Sequence, residues 1–393
     1  MAAEPISPLR RWSMLGMGLF ATLSANVFIN GVAFLIPALR SEMGLDLARA
    51  GLISAMPAFG MVPTLIAWGY LVDRLGERLV LALGSALTAG AAAGAALSGS
   101  LVAMSAFLFA GGMAAASSNS ASGRLVVGWF PAEQRGLAMG IRQTAQPLGV
   151  GVGALVMPEL AETHGPDTAL LFPAAICAAA ALACALAVRD APRLARADAP
   201  AEQLANPYRG RGTLWRIHLV SVLLVVPQAV VWTFALVWLM SVRHWSAESA
   251  GLLVGLAQIL GAGGRVAAGR WSDRVGSRLR PVRIIAAAAA VSMALLAVTD
   301  ALGSGWSVAA LVLASMITVS DNGLEFTAIA EISGPFWSGR ALGAQNTSQL
   351  LTGGLTAPVF GALISAAGYP AAFAVCALSA LIAMPLVPAD RPR

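Results

Sequence analysis

Twelve long apolar runs, separated by short stretches of charged residues, glycine and proline, decide what this 393-residue chain can fold into. Each run has roughly the 20 residues that a helix needs to cross the hydrocarbon core of a bilayer. Because 11% of the residues are charged, the chain cannot cover a folded core with polar surface. We therefore predict an all-α membrane protein with twelve transmembrane helices. The predicted spans lie at about 12–39, 47–71, 79–98, 101–128, 136–159, 168–188, 214–241, 248–269, 282–300, 305–330, 341–366 and 369–388.

Composition excludes several other classes of protein. A formal net charge of +6 would suggest a nucleic-acid partner for a soluble protein, but here the basic residues are all arginine and most lie between the apolar runs. The three cysteines lie in alanine-rich runs without the spacing of a zinc site or a disulfide framework, and we interpret them as packing residues: Cys177, Cys184 and Cys376. We expect no soluble enzyme, no metal or other cofactor and no nucleic-acid partner.

The distribution of arginine predicts the orientation of the chain in the membrane. Cytoplasmic loops carry an excess of basic residues, and a cytoplasmic amino terminus places nineteen arginines inside and three outside. The inside set is Arg10, Arg11, Arg74, Arg78, Arg135, Arg189, Arg193, Arg196, Arg209, Arg211, Arg216, Arg270, Arg274, Arg278, Arg280, Arg283, Arg340, Arg391 and Arg393, and the outside set is Arg40, Arg49 and Arg243. We expect a multi-pass protein of the cell inner membrane with both termini in the cytoplasm.

An extended interruption at residues 189–213, rich in proline and arginine, divides the spans six and six. The predicted domains are an amino-terminal six-helix bundle at 1–188, a cytoplasmic linker at 189–213 and a carboxy-terminal six-helix bundle at 214–393. The chain is expected to be a monomer.

The two halves repeat one another in sequence. Residues 69–78 return at 269–278 with five of ten positions identical, and residues 140–146 match 343–349. At the latter offset, 117–119 align with 320–322. Two pseudo-symmetric six-helix halves of like orientation are typical of transporters built from parallel repeats, with the pathway between the halves.

The segment at 69–78 has the form G-x-L-x-D-R-x-G-x-R and resembles the signature loop of the major facilitator superfamily, as does the twelve-span layout over essentially the whole chain. The resemblance implies a cytoplasmic loop that acts as a conformational latch between the halves. By carry-over, the latch residues are Gly69, Asp73, Arg74, Gly76, Arg78, Asp273 and Arg274. An acid among arginines in a glycine turn is also suited to a breakable electrostatic contact. The alternative is a simple positive-inside topology anchor.

Departures from the family pattern bear on the substrate. Many proton-coupled exporters of the family carry an arginine in span four, four residues before a glycine, whereas this chain has Phe107 before Gly111. The first span contains no acid. Export of cationic drugs therefore loses weight, and the stretch at 129–143 is closer to carriers of small metabolites and anions.

Six ionisable residues lie within or at the end of a span, where they are costly and usually functional: Arg124, Arg142, Arg265, Asp321, Glu325 and Glu331. Asp321 and Glu325 are four residues apart and are expected on one helical face with Thr318. Repulsion between two adjacent carboxylates favours a bound proton, so they are candidates for proton coupling. The alternative is that both neutralise arginines of neighbouring helices.

Arg142 is a candidate anion partner, on the same predicted helical face as Gln146, because a guanidinium binds carboxylate or phosphate oxygens two at a time. Its repeat partner is the neutral Gln345. The equally weighted alternative is a gate salt bridge to Asp321 or Glu325. Arg124 and Arg265 lie near cytoplasmic helix ends, where snorkelling or a helix-dipole interaction would explain them.

Polar stripes on spans one, four, seven, ten and eleven complete the candidate substrate-binding set, which ligand contact and helix packing explain equally well. Besides Arg142 and Gln146, the set contains Asn26, Asn30, Ser118, Asn119, Ser122, Gln228, Trp232, Asn322 and Gln349. Trp238, near a span end, is interpreted as an anchor at the membrane interface.

The sequence thus predicts a secondary active transporter that moves a small organic or inorganic anion or metabolite by alternating access, coupled to protons. Neither an ATP-binding motif nor a nucleophile motif is found, and no enzyme activity is expected. The alternative within transport is a proton-coupled exporter of a drug or a hydrophobic pathway product. A channel, a receptor or a lipid scramblase would lack coupled, saturable flux.

Overall fold

The computed structural model describes residues 7–193, 195–209 and 212–389, so Arg211, Arg391 and Arg393 of the predicted inside set lie outside the described residues. All regular elements in the described ranges are helical. The α-helices are α1 Pro8–Gly31, α2 Ile36–Met43, α3 Leu47–Met61, α4 Leu65–Leu75, α5 Glu77–Ala96, α6 Leu101–Ala115, α7 Ser117–Trp129, α8 Arg135–Arg142, α9 Ala145–Ala169, α10 Leu171–Ala187, α11 Ala201–Leu204, α12 Thr213–Ser241, α13 Ala247–Val275, α14 Leu279–Ala301, α15 Trp306–Ile317, α16 Asn322–Ser333 and α17 Ser338–Leu386. Short 3-10 helices lie at Val32–Leu35, Ala132–Gln134 and Pro207–Arg209.

The predicted twelve-helix membrane fold is confirmed. Within the described residues, nine helical segments are long and apolar enough to cross a membrane, and a pair bent by 69° at 132–187 makes up to ten. The 49-residue α17 contains Gly368 in a left-handed conformation (φ 80°), which separates spans eleven and twelve. Gly165 (φ 83°) separates spans five and six in the same way. The described chain is therefore an integral, multi-pass membrane protein.

Five spans are interrupted, although the sequence analysis treats each span as one helix. Proline explains three of the interruptions, because it cannot donate the backbone hydrogen bond that the carbonyl four residues earlier needs. These residues are Pro37 after the turn at Val32–Leu35, Pro63 between α3 and α4, and Pro147 after the break between α8 and α9. The breaks in spans four and ten fall at 116 and 318–321, beside serine, threonine, aspartate and asparagine, whose side chains compete for backbone hydrogen bonds.

The described chain divides into two compact units, and each takes one segment from the opposite half of the sequence. The first unit is Met1–Phe130, Thr144–Ala205 and Ser333–Thr347, and the second is Pro131–Gln143, Asn206–Ile332 and Ser348–Arg393. One boundary falls at the break between α8 and α9, so α8 belongs to the second unit. The division predicted from sequence at 189–213 stays a prediction.

The core of the first unit consists of aliphatic and small residues around Phe28, Leu35 and Leu108, all of them buried. Small residues allow its helices to approach closely. A Cβ at Gly60 would lie 2.0 Å from the carbonyl oxygen of Phe109, and one at Gly112 would lie 1.9 Å from that of Pro57. The contact between α3 and α6 therefore requires glycine at both positions.

The core of the second unit is built around Trp238, Met293 and Phe373. The interpretation of Trp238 as an interface anchor is wrong, because its side chain is fully buried. The indole Nε1 donates a hydrogen bond of 3.2 Å to Asp300, and Arg243 donates one of 2.6 Å to the same carboxylate. A buried carboxylate near a helix end needs such donors, and Trp238 supplies one of them.

We expect Trp238→Phe to destabilise the protein by about 1–3 kcal/mol, because the substitution removes a donor from the buried Asp300 carboxylate. The thermal unfolding midpoint of the purified protein in detergent measures the change. Trp306→Phe is the matched control, since Trp306 is 77% exposed. Equal unfolding midpoints for the two variants would contradict the role of Trp238 as a donor to the Asp300 carboxylate.

Candidate functional site

Asp73 binds the beginning of a helix from the other half of the sequence. The residue lies in the last turn of α4 and is buried. Its carboxylate accepts hydrogen bonds from the backbone N–H groups of Gly339 (2.8 Å) and Arg340 (3.1 Å) in the first turn of α17, and from Nε of Arg340 (3.0 Å). A carboxylate in this position satisfies free N–H groups and complements the positive end of the helix dipole.

The contact between α4 and α17 requires two glycines facing each other. A Cβ at Gly69 or at Gly339 would lie 2.3 Å from the carbonyl oxygen of the other residue. Gly76 follows α4 with φ 93°, a conformation that L-residues rarely adopt, and begins the turn into α5. Gly69, Asp73 and Gly76 of the predicted latch thus have structural roles at one place.

Arg124 takes part in the contact between Asp73 and the beginning of α17. Its interpretation as a snorkelling residue is wrong. The side chain is buried, forms an ion pair with Glu77 and lies 3.5 Å from Asp73. Its Nη2 also donates to the carbonyl of Pro335 (3.1 Å), just before α17. Arg124 is therefore a charged partner within the Asp73 contact.

The two arginines of the first motif do not bind the Asp73 carboxylate. Arg74 is exposed and lies 5.2 Å from the ring centroid of Tyr70. The exposed Arg78 donates through Nε (2.9 Å) to the carbonyl of Ala185. The linker holds the turn between them, since Asp190 accepts from the backbone N–H of Arg78 (2.9 Å) and Arg193 donates to the carbonyl of Asp73 (2.9 Å).

The second motif makes an equivalent contact within the second unit. Asp273 of α13 accepts hydrogen bonds from the backbone N–H groups of Gly136 (2.9 Å) and Leu137 (2.8 Å), at the beginning of α8. A Cβ at Gly269 would lie 2.1 Å from the carbonyl oxygen of Gly136, so these helices also approach through glycine. Arg274 is exposed, as Arg74 is.

Arg278 joins the carboxylates around Asp273. Its guanidinium lies 2.6 Å from Asp273 and 3.2 Å from Glu331, which also pairs with Arg135 at 3.4 Å. Burial acts to lower the pKa of Arg278, but Glu331 and Asp273 more than offset it, and the net shift is upward. Arg278 therefore stays charged and links Asp273 of α13 to Glu331 of α16.

The helix ends that Asp73 and Asp273 bind are not among the features predicted from the sequence. Arg340 and Arg278 belong to the predicted inside set, and the sequence indicates no partner for Glu331. A usable signal was present, because Gly136 and Gly140 have the same spacing as Gly339 and Gly343, and glycines four residues apart mark close helix contacts.

The predicted proton-coupling acids are both buried in the second unit. The break at 318–321 places Asp321 immediately before α16, so the helical face does not continue to Thr318 as predicted. Asp321 and Glu325 interact electrostatically, and Ser221 is a further neighbour of Glu325. Neither carboxylate oxygen of Glu325 has a hydrogen bond of normal geometry within the described residues.

Two buried arginines lie beside the breaks in the second unit. Arg142, the last residue of α8, donates to the side-chain oxygen of Gln143, and its guanidinium carbon lies 5.8 Å from the ring centroid of Phe326. Arg265 donates to the backbone carbonyls of Gln143 (2.9 Å) and Val319 (3.3 Å). The snorkelling interpretation of Arg265 is wrong, because its guanidinium binds interior carbonyls instead of reaching a membrane surface.

The helical face predicted for Arg142 and Gln146 does not exist. The helix is broken at Gln143 and Thr144, so the two residues lie on different helices, α8 and α9, and in different units. Gln146 is exposed in the structure.

Three predicted polar residues of the second unit form one hydrogen-bonded network. Asn322 donates to the side chain of Gln228 (2.9 Å), and Gln349 donates to Asn322 (3.2 Å) and to Ser221 (2.8 Å). Trp232 lies on α12 one turn beyond Gln228 and is half-buried. The network joins α12, α16 and α17, and α16 is the helix that carries Glu325.

The predicted polar residues of the first unit lie on α1, α7 and α9. Thr22 donates to Ser122 (3.0 Å) and thereby links α1 to α7, and Asn26 donates to the carbonyl of Thr22 (2.8 Å). Asn30 donates to the carbonyl of Asn26 (3.2 Å). Ser118 is buried and Asn119 half-buried. The predicted binding residues of this unit carry no charge, whereas those of the second unit include the charged Arg142.

A family model described as Major Facilitator Superfamily matches residues 18–357. A protein of Mycobacterium tuberculosis named as an uncharacterized MFS-type transporter is 56% identical over 388 residues, covering 99% of this chain and 87% of the relative. A probable sulfoacetate transporter of Cupriavidus necator is 24% identical over 91% of this chain and 90% of its own length. A galacturonate transporter of Dickeya chrysanthemi is 28% identical over 38% of this chain and 42% of its own length.

Solved structures show the same fold. The proton:xylose symporter XylE aligns with a TM-score of 0.74 at 17% identity, covering 95% of each chain. The human organic anion transporter MFSD10 aligns with a TM-score of 0.73 at 20% identity, covering 98% of this chain and all of that one. At these identities, the similarity concerns the fold alone.

We expect Asp73→Asn to increase amide hydrogen exchange about tenfold in the segment 338–342, because the substitution removes the charge that binds the first N–H groups of α17. Exchange measured by mass spectrometry on the purified protein tests this. Arg74→Gln, a charge change one residue away on the exposed face, is the control. Unchanged exchange in Asp73→Asn would contradict the role of this carboxylate.

Proposed function

The chain belongs to the Major Facilitator Superfamily of transporters, and from this premise we propose that it is a proton-coupled secondary transporter of a small anion. The observation that carries the proposal is the buried charge of the second unit. Arg142, Arg265, Asp321 and Glu325 are each at most 3% exposed. Arg142 and Asp321 lie at the interruptions of spans five and ten, Glu325 follows Asp321 by one turn, and Arg265 of α13 donates to carbonyls at both interruptions. Ionisable residues at membrane depth are costly and mark substrate or ion pathways.

Arg142 supplies the anion specificity in this proposal. Its guanidinium can bind two oxygens of a carboxylate, sulfonate or phosphate at once, which an ammonium group cannot do with the same geometry. The guanidinium carbon lies 5.8 Å from the ring centroid of Phe326, within the range of a cation–π contact that helps to hold the charged group in place.

Two relatives favour an anionic substrate. One is named a probable sulfoacetate transporter and the other a galacturonate transporter, and both compounds are carboxylate anions at neutral pH. The first similarity extends over most of the chain, and the second over 151 residues. These similarities support organic acids as the substrate class.

Glu325 is proposed to take up and release the coupled proton. Its carboxylate is fully buried, has no hydrogen bond of normal geometry within the described residues and lies near Asp321, another acid. Burial and the neighbouring Asp321 disfavour the ionised form, whereas the Ser221 side chain favours it, so the group is suited to alternate between the protonated and the ionised form.

The Asp73 and Asp273 contacts are proposed to form and break during alternating access. Each is a carboxylate on helix N–H groups between two glycine-bearing helices, an arrangement that binds firmly yet has no covalent constraint. In the proposed orientation these contacts lie on the cytoplasmic side of the inner membrane, with both termini inside, as the arginine distribution favours.

We expect Arg142→Gln to weaken binding of an organic anion about tenfold or more, because a hydrogen-bonded charge pair is lost. Galacturonate and sulfoacetate are the probes, and isothermal calorimetry on the purified protein measures binding. Arg40→Gln, an exposed outer arginine, is the control. If neither probe binds but an apolar drug does, with affinity independent of Arg142, the alternative exporter function is favoured.

We expect Glu325→Gln to abolish proton-driven accumulation of the anion in proteoliposomes while anion exchange without a gradient is partly retained. The neutral amide can neither take up nor release the proton. Glu248→Gln, at an exposed position, is the matched control. Accumulation at the wild-type level in Glu325→Gln would rule out Glu325 as the coupling group, and flux that does not saturate would favour a channel.

A further inference from the structure

We propose that Arg265 couples the charge of Asp321 to the docking of α8 on α13, so that neutralising Asp321 loosens α8. The inference rests on the proposed function in that Asp321 lies in the same site as the proton-carrying Glu325, and it takes the charge of Asp321 as the one that is removed. Arg265 then acts as a positioning residue between the candidate anion and proton site and the Asp273 contact.

The interruption of span five creates the need for Arg265. In an unbroken helix the carbonyl of Gln143 would accept a hydrogen bond from residue 147, but residue 147 is proline and has no N–H group. Arg265 donates to this carbonyl from α13 (2.9 Å) and to the carbonyl of Val319 (3.3 Å) at the interruption of span ten. One guanidinium therefore binds backbone oxygens at two helix breaks.

Two neutral carbonyls do not compensate a buried positive charge. Arg265 is 3% exposed and binds the carbonyl of Val319, two residues before Asp321, so that the charge of Asp321 acts on the guanidinium; Asp321 in turn interacts with Glu325. A buried ion whose counter-charge is removed is strongly unfavourable. When Asp321 is neutral, the Arg265 guanidinium is therefore driven towards water or a bound anion, away from the carbonyl of Gln143.

The helix that this carbonyl terminates is held on α13 at both ends. The first N–H groups of α8 bind Asp273. Along its length, a Cβ at Gly140 would lie 2.6 Å from the carbonyl oxygen of Arg265, so the two backbones are in contact. Without the Arg265 bond, α8 keeps its bonds to Asp273 and the backbone contact at Gly140 but loses the donor to the carbonyl that follows its last residue, which lowers the stability of the whole contact.

The first unit has the same backbone contact without the charge. Gly343, the repeat partner of Gly140, packs on Leu65, and a Cβ there would lie 2.5 Å from the Leu65 carbonyl oxygen. Leu65 stands 200 residues before Arg265, the offset of the repeated motif. The residue corresponding to Pro147 is Leu350, and α17 continues through it. Sensitivity to charge is therefore a property of the α8 contact.

The test is amide hydrogen exchange of the full-length protein in nanodiscs, without substrate or a proton gradient. We expect Asp321→Asn to accelerate exchange in the segment 136–142 about tenfold, as expected for a lost charge-assisted hydrogen bond. Exchange in 339–345, the corresponding segment of the first unit, is the internal control and should stay unchanged. Asp321→Glu, which keeps the charge, should resemble the wild type.

The double variant separates coupling from a structural role. Arg265→Gln should accelerate exchange in 136–142 by itself, and adding Asp321→Asn should then have no further effect, because the two residues act through one interaction. Arg265→Lys should retain part of the protection. Acceleration in Arg265→Gln without acceleration in Asp321→Asn would show a structural role only and overturn the proposal, as would no change in either.

Two features keep the test decisive. If Arg265→Gln fails to fold, the comparison of Asp321→Asn with Asp321→Glu at equal thermal stability still decides the outcome. Since exchange is measured without transport, the coupling can hold in a protein that carries no anion. Conversely, a functioning anion carrier can show no response of α8, in which case this inference fails and the proposed function stands.

Discussion

Satisfaction of backbone hydrogen bonds inside hydrocarbon is the constraint on which the rest of this structure depends. An unpaired carbonyl at membrane depth is costly, so a broken helix persists only where other groups supply the missing donors. Proline interrupts spans one, two and five, and short polar residues lie at the breaks of spans four and ten. Around the breaks of spans five and ten the donors come from buried arginine, and the structure thereby concentrates charge where the backbone is irregular.

A second theme is the use of a carboxylate from one helix to cap the beginning of another. Asp73 and Asp273 each bind two N–H groups at the beginning of a helix that comes from the opposite half of the sequence. Paired glycines bring the backbones close enough for these bonds. The surrounding arginines, Arg124 and Arg278, keep the carboxylates paired in a buried setting where an isolated charge would be unfavourable.

The repeat gives both halves the same arrangement of helices, whereas several buried charged residues occur where the two halves differ in sequence. The two halves share the motif acids and the glycine contacts, but charged groups of the second unit correspond to neutral residues elsewhere in the repeat. The corresponding pairs are Asp321 and Ser118, Glu325 and Ser122, Arg265 and Leu65, and Arg142 and Gln345. A symmetric scaffold presents the same geometry twice, whereas a charge placed once gives one unit an ionisable group that the other lacks at the corresponding position.

The amino-acid sequence by itself determined the membrane class, the twelve spans, the repeat and the identity of the motif acids, because hydropathy, length and residue spacing are local properties that the bilayer reads directly. It did not determine which atoms the acids bind, the burial of Trp238, or the roles of Arg124 and Arg265. Nor did it show that Arg142 and Gln146 lie on different helices. Those depend on where helices break and which segments pack together. A break in a helix changes the contacts of the residues that follow it, so side chains four residues apart no longer share a face. Arg265, more than a hundred positions away in sequence, donates a hydrogen bond to the Gln143 carbonyl at such a break.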